Sequence, residues 1–351
     1  MRPDLAALPP YRPGRSAAPG GAPVHKLSSN ELPFGPLPSV ERALAALLGS
    51  VNRYPDMAGA ELVARLAARH DVDPTQVVLG AGSVEVVSQL VRALAGPGDE
   101  VVFAWRSFEA YPLLVAAAGA TPVPVPLVAG FRHDLDAMGA AITPRTRLVL
   151  VCTPNNPTGG VVDQEELVAF LDRVPVDVVV LVDEAYVEFV TDPAAARGEE
   201  LFARYPNVVV ARTFSKAYGL AGLRIGYGLA PADLARAMRT VAVPFGVTAL
   251  AQAAAVASLD AGDELAARLA PVLAERTRVV SALRAHGYAV PETQANFVWL
   301  PLGERTEEVT ERLLAHAVLV RPFPGDGLRA TFGTAAANDD LLVALGPSLA
   351  V

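Results

Sequence analysis

Val178-Val179-Val180-Leu181-Val182-Asp183-Glu184-Ala185-Tyr186 sets five apolar residues, four of them β-branched, directly ahead of two carboxylates and a phenol. A run with no polar alternation reads as a strand buried on both faces, as in a parallel sheet covered by helices. Working outward, Val77-Val78-Leu79, Glu100-Val101-Val102-Phe103, Leu148-Val149-Leu150-Val151 and Val208-Val209-Val210 read as further strands, with helix-length segments between them. Helical periodicity at 40–48, 59–69 and 84–94 completes the pattern. The spacing predicts an α/β layer with a mostly parallel sheet over residues 45–260.

Residues 1–44 are broken by prolines and glycines (Pro9, Pro10, Pro13, Gly14, Pro19, Gly20, Gly21, Pro23) and read as an irregular arm. Beyond 260 the order changes. A helix is expected at 263–286, interrupted near Pro271, then a strand at 296–300, a helix at 306–315, and strands at 318–321 and 328–332. That order fits a small α+β domain at 261–351, which the arm joins. Two uncharged stretches, 112–130 and 240–259, are long enough to raise the question of a membrane. The first carries Pro112, Gly119, Pro122, Pro124 and Pro126 and reads as a buried strand and turn. The second is alanine-rich, with Pro244 and Gly246, and reads as a buried helix.

At 351 residues, with 52% apolar and 19% charged, the chain has enough apolar matter for a large core and is not a disordered sequence. The 29 basic residues fall short of the 37 acidic ones and form no run, which argues against nucleic acid or an anionic membrane as partner. Cys152 is the single cysteine, so neither an internal disulfide nor a cysteine zinc cluster is expected. The first residues lack the apolar core of a secretory signal. These features together predict a cytoplasmic protein.

In open parallel sheets ligands gather at the carboxyl ends of the strands. Here each expected strand runs into a distinct polar cluster. Gly80-Ala81-Gly82-Ser83 opens a helix and offers backbone N–H groups suited to a phosphate, although a plain strand-to-helix turn would read the same way. Thr153-Pro154-Asn155-Asn156-Pro157-Thr158-Gly159 is a loop stiffened by two prolines from which two amides project. Asp183 ends a buried strand, where a carboxylate needs a cation or a donor. The segment from Arg212 to Gly226 includes Thr213, Ser215, Lys216 and Arg224. Lys216 is one of only two lysines in the chain, the other being Lys26. An amine flanked by hydroxyls and glycines suits covalent capture of an aldehyde cofactor better than a solvated surface role.

Taken together, Ser215-Lys216 with Gly222-Leu223-Arg224-Ile225-Gly226, the Asn155-Asn156-Pro157-Thr158-Gly159 loop and Asp183-Glu184-Ala185-Tyr186 resemble the pyridoxal-phosphate aminotransferases of fold type I. Lys26-Leu27-Ser28-Ser29-Asn30-Glu31 and Asn52-Arg53-Tyr54-Pro55-Asp56 resemble the histidinol-phosphate aminotransferase subfamily within them. The motifs occur in the family's order along essentially the whole chain. The resemblance implies pyridoxal 5'-phosphate as cofactor, with Lys216 as the amine that holds it and shuttles a proton. It implies Asp183 at the pyridine nitrogen, Asn156 and Tyr186 at the phenolic oxygen and Phe108 stacked on the ring. Ala81, Gly82, Ser83, Thr213, Ser215 and Arg224 would hold the phosphate. Arg329, in Gly327-Leu328-Arg329-Ala330-Thr331-Phe332-Gly333, would fork onto the substrate α-carboxylate, for which a planar guanidinium is suited. Asn30, Asn156, Asn296, Tyr11 and Arg321 would contact substrate. Tyr54 would reach the cofactor phosphate of a neighbouring subunit, so a homodimer is implied.

Two substrate classes stay open. The stretch between Arg321 and Arg329 is short for a histidinol-phosphate enzyme, and Thr153 stands where that subfamily more often has Asn. Trp105-Arg106-Ser107-Phe108-Glu109-Ala110-Tyr111-Pro112 and Phe131-Arg132-His133-Asp134-Leu135-Asp136 resemble instead the actinobacterial aromatic branch. Tyr11, Leu32, Phe34, Phe108, Phe323 and Phe332 are candidate apolar walls. Arg321 is the spare cation that a phosphate monoester would need. Transamination of Phe, Tyr or Trp with 2-oxoglutarate is the favoured expectation, and histidinol phosphate the alternative.

Overall fold

The computed structural model describes residues 24–347 together with Leu8 and Pro10. Its strands are β1 (His25–Lys26), β2 (Val77–Gly80), β3 (Glu100–Trp105), β4 (Thr121–Pro126), β5 (Thr146–Cys152), β6 (Val179–Asp183), β7 (Val208–Thr213), β8 (Gly226–Leu229), β9 (Phe297–Leu300), β10 (Val318–Leu319), β11 (Arg321–Phe323) and β12 (Gly327–Thr331). Seven of them form one sheet in the order β2-β8-β7-β6-β5-β3-β4. Every strand in it runs parallel except β8, which is antiparallel to both β2 and β7.

Burial on both faces explains the unbroken apolar runs. Side chains alternate between the faces of a strand. Val149, Val151, Val180, Val182, Val208 and Val210 enter one core, while Leu148, Leu150, Leu181, Val209 and Ala211 enter the other. A third core lies under the antiparallel sheet β11-β12-β9, where Val298, Leu300, Leu328 and Ala330 meet Val279, Leu283 and Leu341. The segment around β1 ties into this region, since β1 pairs in parallel with β10 and Leu27 and Val318 enter the same core.

Three expectations need correction. Residues 112–130 are not a strand and turn throughout: Ala110–Ala118 is a helix with Pro112 in its first turn, where a missing N–H costs nothing. The alternating prolines that follow belong to β4, the edge strand, where a residue without a ladder donor is tolerated and a further strand is discouraged. Within 240–259 the helix begins only at Ala249, capped by Thr248, and Val243 and Phe245 before it are exposed. The stretch 318–321 splits, β10 pairing with β1 and β11 with β12. β8 escaped the sequence reading because Gly-Tyr-Gly-Leu has little strand propensity. Its glycines are required sterically: a Cβ on Gly226 would stand 2.4 Å from the Ser83 backbone nitrogen, and one on Gly228 2.8 Å from Val86.

Strand register brings the chemistry to one edge. Cys152 pairs with Asp183, Asp183 with Ala211, Thr213 with Gly226, and Gly226 with Gly80. The carboxyl ends of four parallel strands and the amino end of β8 therefore share a rim.

Candidate active site

At that rim lies a cavity of about 250 Å³, closed on its far side by β11, β12 and the segment Ser28–Asn30. Ser83, Phe108, Asn156, Asp183, Tyr186, Thr213, Ser215, Lys216, Arg224, Asn30, Arg321 and Arg329 all line it. Ala81 and Gly82 lie just behind the lining and act through Arg224, as described below. Asn296 is fully buried one layer back and donates its amide to the Asn30 carbonyl at 3.2 Å. Tyr54 stays away from the cavity, 83% exposed, with its ring 4.6 Å from that of Phe245. Tyr11 lies outside the described residues. Of the other candidate walls, Phe323 lines the cavity, Leu32 and Phe34 border a neighbouring depression, and Phe332 belongs to the core of the smaller sheet.

The helix Ser83–Leu94 starts shortly after β2, and the N–H groups of its first two residues, Ser83 and Val84, have no helical acceptor. Gly82, at φ +84°, is the residue that allows the close approach, because a Cβ there would sit 2.3 Å from Arg224 Nη2. Arg224 Nη2 donates to the Ala81 carbonyl at 2.9 Å, and Nη1 to Ser215 Oγ at 3.3 Å and the Ala221 carbonyl at 3.1 Å. Thr213 Oγ1 accepts from the Ser215 N–H at 3.1 Å. A guanidinium, two hydroxyls and a helix start thus converge, a cluster that matches a phosphate dianion.

Lys216 Nζ donates to the Ser29 carbonyl at 3.1 Å. Burial, reinforced by the Arg329 cation, pulls the Lys216 ammonium down to about 7. A neutral amine is therefore available near neutral pH, as a nucleophile or base requires. Asp183 lies on the same face of β6 as Leu181, among apolar side chains. Burial pushes its carboxyl up to about 6, against the Tyr111 hydroxyl that donates to Oδ2 at 2.6 Å. Its Oδ1 is buried with no protein partner. Glu184 points to the opposite face and is structural: Arg212 donates to it at 2.8 Å and the Gly198 N–H at 2.6 Å. Neighbouring Cys152 is kept a thiol by burial, which pushes it up to about 12.

Tyr186 accepts the amide hydrogen of Asn30 at 2.9 Å, and burial raises its phenol above the ordinary range. Asn30 itself, at φ +56°, is fixed by Thr331, whose Oγ1 accepts from its N–H at 2.9 Å. Arg329 donates to Asn156 Oδ1 at 2.5 Å and to the Ser28 carbonyl at 2.7 Å, and lies over the Phe297 ring at 5.4 Å. Arg321, its direct cross-strand partner, meets Glu109 Oε2 at 2.5 Å.

Sequence reasoning assigned no role to Tyr111, Glu109, the Ser28 and Ser29 carbonyls or Thr331. Tyr111 was traceable through its i, i+3 spacing from Phe108, whose ring it meets edge-on at 5.6 Å. The others act across fold-level distances that no local pattern encodes.

Residues 22–345 match the family model of class I and II aminotransferases. The aromatic amino acid aminotransferase of Streptomyces avermitilis is 55% identical over 342 residues, covering 97% of this chain and 95% of that protein. The enzyme of the same name from Cutibacterium acnes is 51% identical, covering 98% and 97%. Among solved structures, the histidinol-phosphate aminotransferase of Sinorhizobium meliloti in complex with pyridoxal-5'-phosphate superposes with a TM-score of 0.89 at 30% identity, covering 98% of this chain and 96% of that one.

Proposed function

The chain belongs to the class I and II aminotransferases, and from that premise we propose that it is a pyridoxal 5'-phosphate enzyme transferring the amino group of an aromatic L-amino acid (phenylalanine, tyrosine or tryptophan) to 2-oxoglutarate. The products are the aromatic 2-oxo acid and glutamate. The fit to the cofactor rests on three features: the orphaned Asp183 Oδ1, the desolvated Lys216 amine and the glycine-lined cradle facing Arg224. When bound, the cofactor supplies an aldehyde that takes up amines reversibly and a ring that accepts electrons from the substrate Cα.

The protein's own groups do the rest. Lys216 Nζ would hold the cofactor and, as an amine held down to about 7, would move a proton off and back onto the substrate Cα. Asp183 Oδ1, buried without a protein partner, would hold the proton of the ring nitrogen, and a cation there would offset the cost of the buried carboxylate. Tyr186 accepts from Asn30 and so keeps its own O–H to donate toward the phenolic oxygen, joined by the Asn156 amide. Ala81, Gly82 and Ser83 with Thr213, Ser215 and Arg224 would hold the phosphate, and Phe108 would pack on the ring. Arg329 takes the substrate α-carboxylate bidentately, its fork oriented by Ser28 and Asn156. Asn296 serves by fixing Asn30.

The observation that carries the aromatic assignment is the cavity's outer end: Phe108 and Phe323 line it, and Arg321 is ion-paired with Glu109 rather than open to a phosphate. The names of the relatives above support the same reading. Histidinol phosphate is the alternative that the test addresses. A donor screen with phenylalanine, tyrosine, tryptophan and histidinol phosphate against 2-oxoglutarate should rank the aromatic donors first by kcat/KM, and histidinol phosphate ahead of them would overturn the assignment.

On this reading the chain comprises the arm at 1–44, a cofactor-binding part at 45–260 and a small part at 261–351, and works in the cytoplasm. It works as a homodimer, with Tyr54 contributing to the partner's phosphate site. Supporting this, Tyr54 is exposed with its ring against that of the exposed Phe245, and it shares a surface depression with the exposed Val51. No helix among the described residues is long and apolar enough to cross a membrane.

A further inference from the structure

Arg321 and Arg329 face each other directly across the β11–β12 pair, so their side chains leave the same face of the sheet and enter one cavity. Like charges placed opposite one another are unfavourable unless each finds a counterpart. The two are served differently. Arg329 donates to an amide oxygen, that of Asn156, and to the Ser28 backbone carbonyl. Arg321 is held by a carboxylate, that of Glu109, at 2.5 Å, with their side chains only 10% and 29% exposed. Glu109 comes from the wall opposite β11, directly after Phe108 and ahead of the helix Ala110–Ala118, so the pair bridges the two sides of the cavity. Phe323, two residues along β11 and on the same face, supports the Arg321 guanidinium at 5.6 Å from its ring centre. Arg106, itself paired with Asp326 at 2.5 Å, lies 6.0 Å from that same ring.

We propose that Glu109 is the specificity-determining residue at the outer end of the cavity, acting as a positioning residue through Arg321. This rests on the aminotransferase reading, in which Arg329 anchors the α-carboxylate and the substrate side chain points toward Arg321. With the ion pair closed, that end is electrically neutral and walled by Phe108 and Phe323, so an uncharged aromatic side chain enters without breaking a strong contact. A side chain ending in a carboxylate or phosphate gains Arg321 only by displacing a carboxylate tethered beside it. Exchange of one anion for another at the same cation yields little net attraction, and the tether gives Glu109 the advantage of high local concentration. Glu109 therefore discriminates against anionic side chains, and tempers the grip on the dicarboxylate acceptor.

The test uses the cofactor-loaded enzyme and two non-reacting monitors of binding, glutarate and 3-phenylpropanoate, with dissociation constants measured by calorimetry. Glu109→Gln keeps the shape and removes the charge. Glutarate should bind roughly 10- to 100-fold more tightly, because the tethered carboxylate that competes for Arg321 is gone. 3-Phenylpropanoate should bind more weakly, because its ring must cover that cation. The same opposite movement should appear as a lower KM for glutamate and a higher KM for phenylalanine. In Glu109→Gln/Arg321→Gln the gain for glutarate should vanish. If both ligands weaken together, or neither moves, or the glutarate gain survives loss of Arg321, the proposal is overturned. Its failure is separable from that of the aromatic assignment, which the donor screen decides on the unaltered enzyme.

Discussion

The walls of the cavity proposed to hold the cofactor and the substrate are built in different ways. On the proposed cofactor side, Ser83, Asn156, Asp183, Thr213, Ser215 and Lys216 lie at or shortly after the ends of sheet strands, and strand register brings those ends to one rim. On the substrate side, each residue depends on a partner far away in the chain: Arg329 on Ser28 and Asn30 on Thr331, both 301 residues apart, and Asn296 on Asn30 at 266. A wall fixed by strand ends keeps its shape when one side chain is lost. A wall fixed by a web of hydrogen bonds does not.

The sharpest challenge to this contrast is Lys216→Ala, which should cost the most activity and the least structure. Transamination should fall by on the order of 10⁴-fold or more, since both the cofactor's tether and the proton carrier go. Thermal unfolding of the cofactor-free protein should stay cooperative. Its pH dependence should change in a definite direction. The amine is held down to about 7, below its usual value of about 10.4. Its contribution to stability is thus present above pH 10 and is lost as pH falls toward 7. Lys216→Ala should remove that limb, and unfolding midpoints that still fall over that window as they do in the parent would show that the amine is not buried as described.

On the other wall, Arg329→Lys keeps the charge and removes the fork. A weakening of substrate binding by roughly 2–3 kcal/mol is expected, on the order of 100-fold in kcat/KM and mostly in KM. Because Asn156 and Ser28 lose their donor, a loss of thermal stability should accompany it, whereas cofactor absorbance should persist. A variant that loses cofactor instead of substrate affinity would show the two walls to be one unit.

The same contrast explains what the sequence disclosed. Motifs at strand ends carry their chemistry within a few residues, so Lys216, Asp183 and the Gly82–Arg224 cradle could be found by reading along the chain. Arg329 was legible because its neighbours are apolar or glycine, but not the partners that aim it. Glu109 stood in plain sight beside Phe108, yet nothing local ties it to Arg321, 212 residues on. β8 was hidden for another reason: its glycines answer to steric demands of Ser83 and Val86, which propensity does not register. Asn296 was placed near substrate and lies one layer behind, since a family position specifies a neighbourhood and not a direction.

The smallest effect, and the finest test of the strand-end wall, is Tyr111→Phe. The ring stays buried and only the hydroxyl that donates to Asp183 Oδ2 at 2.6 Å is removed. That bond favours the charged carboxylate, whereas burial has already pushed Asp183 up to about 6. Without it the carboxyl should titrate higher still, by about one pH unit, corresponding to a bond worth ~1.5 kcal/mol. Since the folded value is raised, this group's contribution to stability in the cofactor-free protein is complete at pH 4 and is lost as pH rises through 6. In Tyr111→Phe the loss should extend toward pH 7, and in Asp183→Asn it should be absent in either background. With the cofactor present its ring nitrogen supplies a new partner, so activity should fall about tenfold or less. Denaturant unfolding at half-unit steps from pH 4 to 8 measures the shift, and a midpoint that moves below 6 would mean that Tyr111 does not hold the charged form of Asp183.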